Sequence, residues 1–384
     1  MNLVLVISTK DVRLSGCKMI EKLSFGANIL SISCHAWNKD RSLHIYEREG
    51  LQWKLVDVLR KHDLRIMGID WAPNSNRIVT CAVDRNAYVW SKDQNGKFQP
   101  TLVLLRIHRA ATCVKWSPLE NKIAVGSGAR LISICYFEMA NNWWISKHIK
   151  KPIRSTITSL DWHPNNVLLV AGSTDYRVRV FSAYIKDIDG QPLATSWGNF
   201  TSLGQLLTEL KSSKQGGGWI QSVSFSADGN KVCWVAHDST INVADASNKN
   251  ESFKLKTQFL PFLSCYWISS STIVVAGHSC IPVIYSVDEN NKITMKCKLD
   301  AERKKESTSF SAMKIFKTMD RSLCTESDDM NLNSIHQNAI TCIGIYDGDV
   351  NIGVKKISTS GIDGQIVIWD ISSDLSQSIQ KLKI

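Results

Sequence analysis

The residues of this chain that could do chemistry form sets of histidine, hydroxyl and carboxylate. His62 is followed by Asp84 and Trp90, and His336 by Asp363 and Trp369, with serines and threonines between. A histidine held by a carboxylate and facing a hydroxyl is the arrangement of a hydrolase triad. The same set recurs at a fixed sequence interval, however, and buried polar groups need partners whether or not they catalyse. A structural hydrogen-bond network is therefore the favoured reading, and no enzymatic activity is expected. Cys34-His35 and His278-x-Cys280 are the nearest approach to metal ligands, and neither has a second pair at ligand spacing. VGSGAR (125–130) lacks a phosphate-binding fingerprint, and neither G-x-x-x-x-G-K-[ST] nor H-E-x-x-H occurs. No cofactor and no metal are expected.

The elements that position these residues are short β-strands. IDWAPNS (69–75), VKWSPLE (114–120), LDWHPNN (160–166) and VSFSADG (223–229) each join an apolar strand carrying an aromatic residue to a polar turn. CYWISSS (265–271) and CHAWNKD (34–40) are looser copies. The closing strands share a finer spacing. Asp84 precedes Trp90 by six residues, as Asp175 does Phe181, Asp363 does Trp369 and Asp40 does Tyr46. Asp238 precedes Ala244, where the aromatic is lost, while Ala129 and Ser279 replace the aspartate in two further copies. The steps between these positions are 44, 45, 46, 63, 41 and 84 residues, four of which fit the period of about 40–45 residues of a WD-repeat propeller blade.

The expected fold is all-β, a single seven-bladed WD-repeat β-propeller over 1–384, with a short helical insert between blades six and seven. In such repeats the His, Ser/Thr, Asp and Trp form a buried network, here assigned to His62, Asp84, Trp90, Asp175, Asp238, His336, Asp363 and Trp369. The long steps place an insertion at 185–218, before blade five, and another at 296–335. Residues 1–33 read as an N-terminal extension whose NILSIS (28–33) supplies the fourth strand of the last blade. Blade one is short: Trp37 and Tyr46 are nine residues apart where other early blades have about 19, so one strand is missing between Arg41 and Leu43. NLVLVIST (2–9) could substitute for it; an incomplete blade arising from splicing or the gene model is the favoured explanation.

The insert at 296–335 contains FSAMKIFKTMDR (310–321), whose Ala312, Ile315, Phe316 and Met319 fall on one helical face, opposite Lys314, Lys317 and Arg321. Its polar flanks favour projection from the ring over packing on it.

Composition bounds the function. The net charge of +11 suits a nucleic acid, an anionic membrane or an acidic protein segment, although the basic residues are dispersed. Nucleic-acid binding is a third reading, behind scaffold and adaptor functions, and is not expected. Lys147, Lys150 and Lys151 beside Trp143 and Trp144 form a candidate acidic-partner patch, and equally an ordinary blade edge. The 11 scattered cysteines, odd in number, point to a reducing compartment. No apolar run reaches the length of a membrane span, the start does not resemble a signal peptide, and Asn199 heads a chance sequon. A cytoplasmic protein without membrane insertion is expected.

CHAWNKDR (34–41), DRNAYVW (84–90), IAVGSGARLISICYFE (123–138), SLDWHPNN (159–166), STDYRVRVFSAYIKDID (173–189) and SGIDGQIVIWD (360–370) resemble the WD-repeat subunit family of the actin-related protein 2/3 complex. The likeness spans roughly 33–372 and is most specific over 123–189. It implies a scaffold within the assembly that nucleates branched actin filaments, in actin-rich structures. It also implies partners among the other subunits, the actin filament and the acidic tails of nucleation-promoting factors. By the same resemblance the insert helix, through Met313, Ile315, Phe316 and Met319, contacts actin or an actin-related subunit. A generic WD-repeat adaptor in another assembly is the alternative.

Overall fold

The computed structural model describes residues 4–7, 30–31, 41–49, 52–190, 195–211, 217–248, 252–300, 334–350 and 353–371. Its first sheet holds β1 (Val4–Ile7), β2 (Leu30–Ser31), β3 (Ser42–Glu49) and β4 (Gln52–Arg60), in the order β2-β1-β3-β4. The second runs β5 (Ile66–Ala72), β6 (Arg77–Ala82), β7 (Ala87–Lys92) and β8 (Phe98–Val103). The third is β9 (Ala111–Trp116), β10 (Lys122–Ser127), β11 (Ile132–Glu138) and β12 (Trp143–Ile149). β13 (Ile157–Trp162), β14 (Leu168–Ser173), β15 (Arg177–Ser182) and β16 (Leu206–Lys211) make the fourth. The fifth contains β17 (Ile220–Phe225), β18 (Lys231–Ala236), β19 (Thr240–Asp245) and β20 (Ser252–Lys256). β21 (Phe262–Ser269), β22 (Thr272–Gly277), β23 (Val283–Val287) and β24 (Ile293–Lys298) follow, and then a sheet of three strands, β25 (Ile340–Asp349), β26 (Gly353–Gly361) and β27 (Ile366–Asp370).

Each later sheet is an antiparallel meander that starts at its inner strand. Neighbouring inner strands touch in the cyclic order β2, β5, β9, β13, β17, β21, β25 and back to β2, which closes the ring. A closed ring leaves only short, protected edges. The core lies between sheets. Val79 and Val89 of one sheet pack with Val114 and Trp116 of the next, and Val170 and Val180 with Val223 and Trp234. Strands covered on both faces are mainly apolar, and β10, β14 and β22 are buried at every position, their polar residues falling at the strand ends. Outer strands see solvent on one side, so β20 alternates between exposed and half-buried residues. The sheets approach so closely that a Cβ on Gly172 would lie 2.5 Å from the Ile220 Cγ2.

Three expectations are corrected. The all-β propeller is present, but it has six four-stranded blades among the described residues, and its last repeat is a three-stranded sheet. Leu30–Ser31 pairs parallel with β1 in the first sheet, whereas β27 pairs only with β26 among the described residues. Val4–Ile7 pairs antiparallel with β3, Leu5 opposite Tyr46, and so occupies the slot left by the missing strand. The physical reason is common to the last two: an unfilled slot would leave the ladder groups of β3 unpaired. The chain start fills it, and residues 30–31 join the same sheet. Residues 310–321 lie outside the described residues; the helix among those described is a 3-10 turn, Ala246–Asn248. The 185–218 stretch contains β16, which pairs with β15 as a fourth strand.

Candidate functional site

At one end of the ring, in the second to seventh sheets, the turn between the second and third strands meets the connection entering that sheet's inner strand. The same hydrogen bond recurs there: Val83 N–H to Arg65 O, Gly128 to Ala110, Thr174 to Thr156, His237 to Trp219, His278 to Pro261 and Ile362 to Ala339, all 2.9–3.1 Å. The histidine and carboxylate sets sit beneath this layer.

His62 Nδ1 lies 2.8 Å from Asp84 Oδ2, its Nε2 lies 2.8 Å from Thr80 Oγ1, and Trp90 Nε1–H donates to the same Thr80 oxygen at 3.0 Å. The last sheet repeats the arrangement. His336 Nδ1 is 3.1 Å from Asp363 Oδ2, its Nε2 is 2.8 Å from Thr359 Oγ1, and Trp369 Nε1–H donates to Thr359 at 2.8 Å. Asp84 also accepts the Asp63 and Asn86 amides, and Asp363 those of Gln337 and Gln365, so each carboxylate ties the turn to the incoming connection. Burial pushes both carboxyls up, but the histidine and amide hydrogen bonds outweigh it and hold them below the usual range. Thr80 and Thr359 are fully buried and already bonded to an indole, so neither hydroxyl is open to a substrate. The sequence reading left these two threonines unnamed. They sit ten residues before the closing tryptophan, two residues past the one paired with it, a spacing that would have found them.

The other members of the set take different partners. Asp175 accepts from Ser173 and from Arg179 Nη2 at 2.6 Å, and Arg179 also bonds Glu209 at 2.8 Å. Burial raises the Asp175 carboxyl, and the arginine hydrogen bond brings it below its ordinary value. Asp238 accepts from Thr240 at 2.5 Å and from Lys254 at 3.4 Å. Ile107 and Ile153 occupy the positions equivalent to His62 in the third and fourth sheets, four residues before the inner strand, and both are buried.

A second layer of contacts, between sheets, was not anticipated from sequence. Asp70 Oδ2 accepts the Trp116 N–H at 2.7 Å, and Asp161 Oδ2 accepts the Phe225 N–H at 2.7 Å. Lys115 approaches Asp70 at 3.4 Å, and that carboxylate raises the ammonium's pKa. Asp161 is pushed up to about 6 by burial, against the pull of Lys115. Toward the opposite end, Glu120 accepts the Asn74 and Ser75 amides, and Asn166 accepts that of Leu119. Buried Lys122 donates to both Asp189 oxygens at 2.7 Å and lies 5.4 Å from the Trp162 ring centre. Burial pushes the Lys122 ammonium down, and Asp189 opposes the shift.

The basic–aromatic patch divides. Trp144 is buried against Trp116 and Phe137. Trp143 is 51% exposed, with its indole N–H donating to Glu138. Lys147 lies over the Tyr136 ring and 3.5 Å from Asp187, while Lys150 and Lys151 are exposed on the connection to the next sheet. Met313, Ile315, Phe316 and Met319 lie outside the described residues. Among the described residues no cluster of three or more His, Cys, Asp or Glu is arranged to hold a metal, and no helix is long and apolar enough to cross a membrane.

Comparison with known proteins places this framework. The family described as WD domain, G-beta repeat matches residues 53–91 and 146–182. Actin-related protein 2/3 complex subunit 1A-A of Xenopus laevis is 54% identical over 363 residues, covering 92% of this chain and 97% of that protein. Subunit 1 of Schizosaccharomyces pombe is 40% identical, over 88% of this chain and 96% of its own, and subunit 1B of Arabidopsis thaliana 37%, over 89% and 95%. The similarity covers nearly the whole length of each relative, and the chain belongs to the family of actin-related protein 2/3 complex subunit 1.

Proposed function

We propose that this protein is a non-enzymatic scaffold subunit of an actin-related protein 2/3 complex and supports nucleation of branched actin filaments in the cytoplasm, at actin-rich structures. The observation that carries the reading is end-to-end similarity to relatives named as subunit 1 of that complex. The structure suits such a role: buried hydrogen bonds and an ion pair join the second, third, fourth and fifth sheets in turn, so this part of the ring presents a fixed frame to other subunits. The insert at 296–335 extends this frame, and Met313, Ile315, Phe316 and Met319 give its helix an apolar face for a groove on actin or an actin-related subunit. Trp143, Lys147, Lys150 and Lys151, supported beneath by Trp144, offer a surface for acidic tails of nucleation-promoting factors.

Capture of the tagged full chain from a cytosolic extract tests the assignment. Two actin-related proteins should come with it at near-stoichiometric yield, together with small partner subunits; an unrelated partner set would make the chain an adaptor in another assembly. Phe316→Asp tests the helix. It should leave thermal stability unchanged and weaken branch formation, whereas a large loss of stability would mean that the face packs within the chain.

A further inference from the structure

The two ends of the ring differ in charge. At the end formed by the recurring turn-to-connection hydrogen bonds, the second, third and fourth sheets expose Lys61, Arg85, Arg106, Arg109, Arg130 and Arg154, apart from the Lys150 and Lys151 already assigned to the acidic-tail surface. Asp63 is the only exposed carboxylate in those connections and turns, because Asp84 and Asp175 are drawn into their networks. The opposite end is mixed: Lys97, Lys186 and Lys292 stand among Asp187, Asp228 and Glu289.

Backbone conformation adds a second observation. Arg85, Arg106 and Arg130 have φ of 70°, 52° and 61°, a region where glycine or asparagine sits with less strain. The same turn position is left-handed at Tyr176, Ser239 and Cys280 in the next three sheets, so the conformation belongs to the turn, which aims the Arg85 and Arg130 side chains from the second and third sheets. A third observation is apolar. Leu64, Trp219 and Leu260 occupy the same connections in three sheets and are 45%, 52% and 59% exposed, and Tyr176 is 42% exposed at a turn of the same end.

We infer that this end of the ring binds the surface of an anionic lipid bilayer. The cations are spread over three consecutive sheets, which suits a planar array of headgroups, and an extended acidic peptide would meet only one line of them. Leu64 stands on the connection that carries Lys61, and Trp219 and Leu260 on the equivalent connections into the fifth and sixth sheets, where shallow entry into the headgroup region favours apolar and aromatic groups. Binding is electrostatic in its main part and weakens as salt screens it.

The test is sedimentation of the full chain with sucrose-loaded phosphatidylcholine vesicles, with and without about one-third phosphatidylserine. The chain should sediment with the anionic vesicles only. Arg85→Gln, Arg109→Gln and Arg130→Gln together should lower the partition coefficient on the order of a hundredfold, roughly fivefold per arginine. Lys97→Gln, Lys186→Gln and Lys292→Gln, which remove equal charge from the other end, should leave it unchanged. If the arginine triple fails to fold, Arg109→Gln with Arg154→Gln, at residues outside the left-handed region, should still give about a 25-fold loss. Equal loss from both ends would reduce the effect to net charge and overturn the proposal. Failure to sediment, with an oligoglutamate peptide bound instead, would assign the end to an acidic protein segment and overturn it as well.

Discussion

The Asp70 carboxylate accepts the backbone N–H of Trp116 at 2.7 Å, across the boundary between two sheets and 46 residues along the chain. Asp161 does the same for Phe225. Each carboxylate sits one residue before the aromatic of its own inner strand and pairs with the aromatic position of the next. The two bonds therefore join adjacent blades along the ring axis and resist slippage between inner strands.

Asp70→Ala should destabilise the fold by about 1.5–3 kcal/mol, the range for a hydrogen bond to a charged group, because the Trp116 amide loses its acceptor. Asp70→Asn keeps an acceptor oxygen and should cost less than half as much. Urea denaturation of the two variants measures the difference, and equal losses would show that the bond itself contributes nothing.

Thr80 is the hinge of its network, since one oxygen serves both His62 and Trp90. Thr80→Val keeps the shape and leaves two buried nitrogens without that partner, at a cost of about 2–4 kcal/mol. Thr80→Ser should recover most of it. Thr359→Val should behave alike, because its two distances match to within 0.2 Å. A Thr80→Val protein as stable as the parent would mean that the indole and imidazole find other partners.

These contacts separate what sequence made legible from what it did not. The strand-turn period and the six-residue step from Asp84 to Trp90 reflect contacts within one blade, so they recur at readable spacing. His62 and His336 were legible for the same reason, since each lies four residues before an inner strand. Asp70 looked like any polar residue beside a tryptophan, because its partner lies in another repeat. Lys122 and Asp189 are 67 residues apart, on β10 of one sheet and after β15 of the next, and a contact made once between two repeats gives no periodic signal. The first blade misled for a different reason. Local spacing revealed a missing strand, but nothing local says that Val4–Ile7 will supply it from outside the repeat.

Acid titration should separate two kinds of carboxylate. Asp84 and Asp363 are held below their unfolded value, near 4, so their stabilisation is present above that pH and disappears as pH falls through the folded value. Asp84→Asn with Asp363→Asn should flatten the loss of stability below about pH 4. Asp161, at about 6, acts in the opposite sense. Between about pH 4 and its folded value the native state holds more protons than the unfolded chain, so its contribution declines as pH rises across that window. Asp161→Asn should remove this decline. Urea midpoints across the acid range test both, and superimposable profiles for all variants would refute the assignments.

The buried Lys122–Asp189 pair should be worth more intact than its parts suggest. Removing the ammonium in Lys122→Met leaves Asp189 charged, 4% exposed, and still turned toward the Ile185 amide, at a cost of about 3–5 kcal/mol. Adding Asp189→Asn removes the stranded charge and keeps an acceptor for Ile185. The double variant should therefore be more stable than Lys122→Met alone, even though it carries one more substitution. Because burial already pushes the Lys122 ammonium down, an apolar side chain of similar length fits the site without a desolvation cost, and only the unpaired carboxylate remains to be relieved. A double-mutant cycle by urea denaturation reads the coupling directly. If the second substitution destabilises further, the carboxylate's hydrogen bonds to the 185–189 turn, and not its charge pairing, hold this segment to the ring.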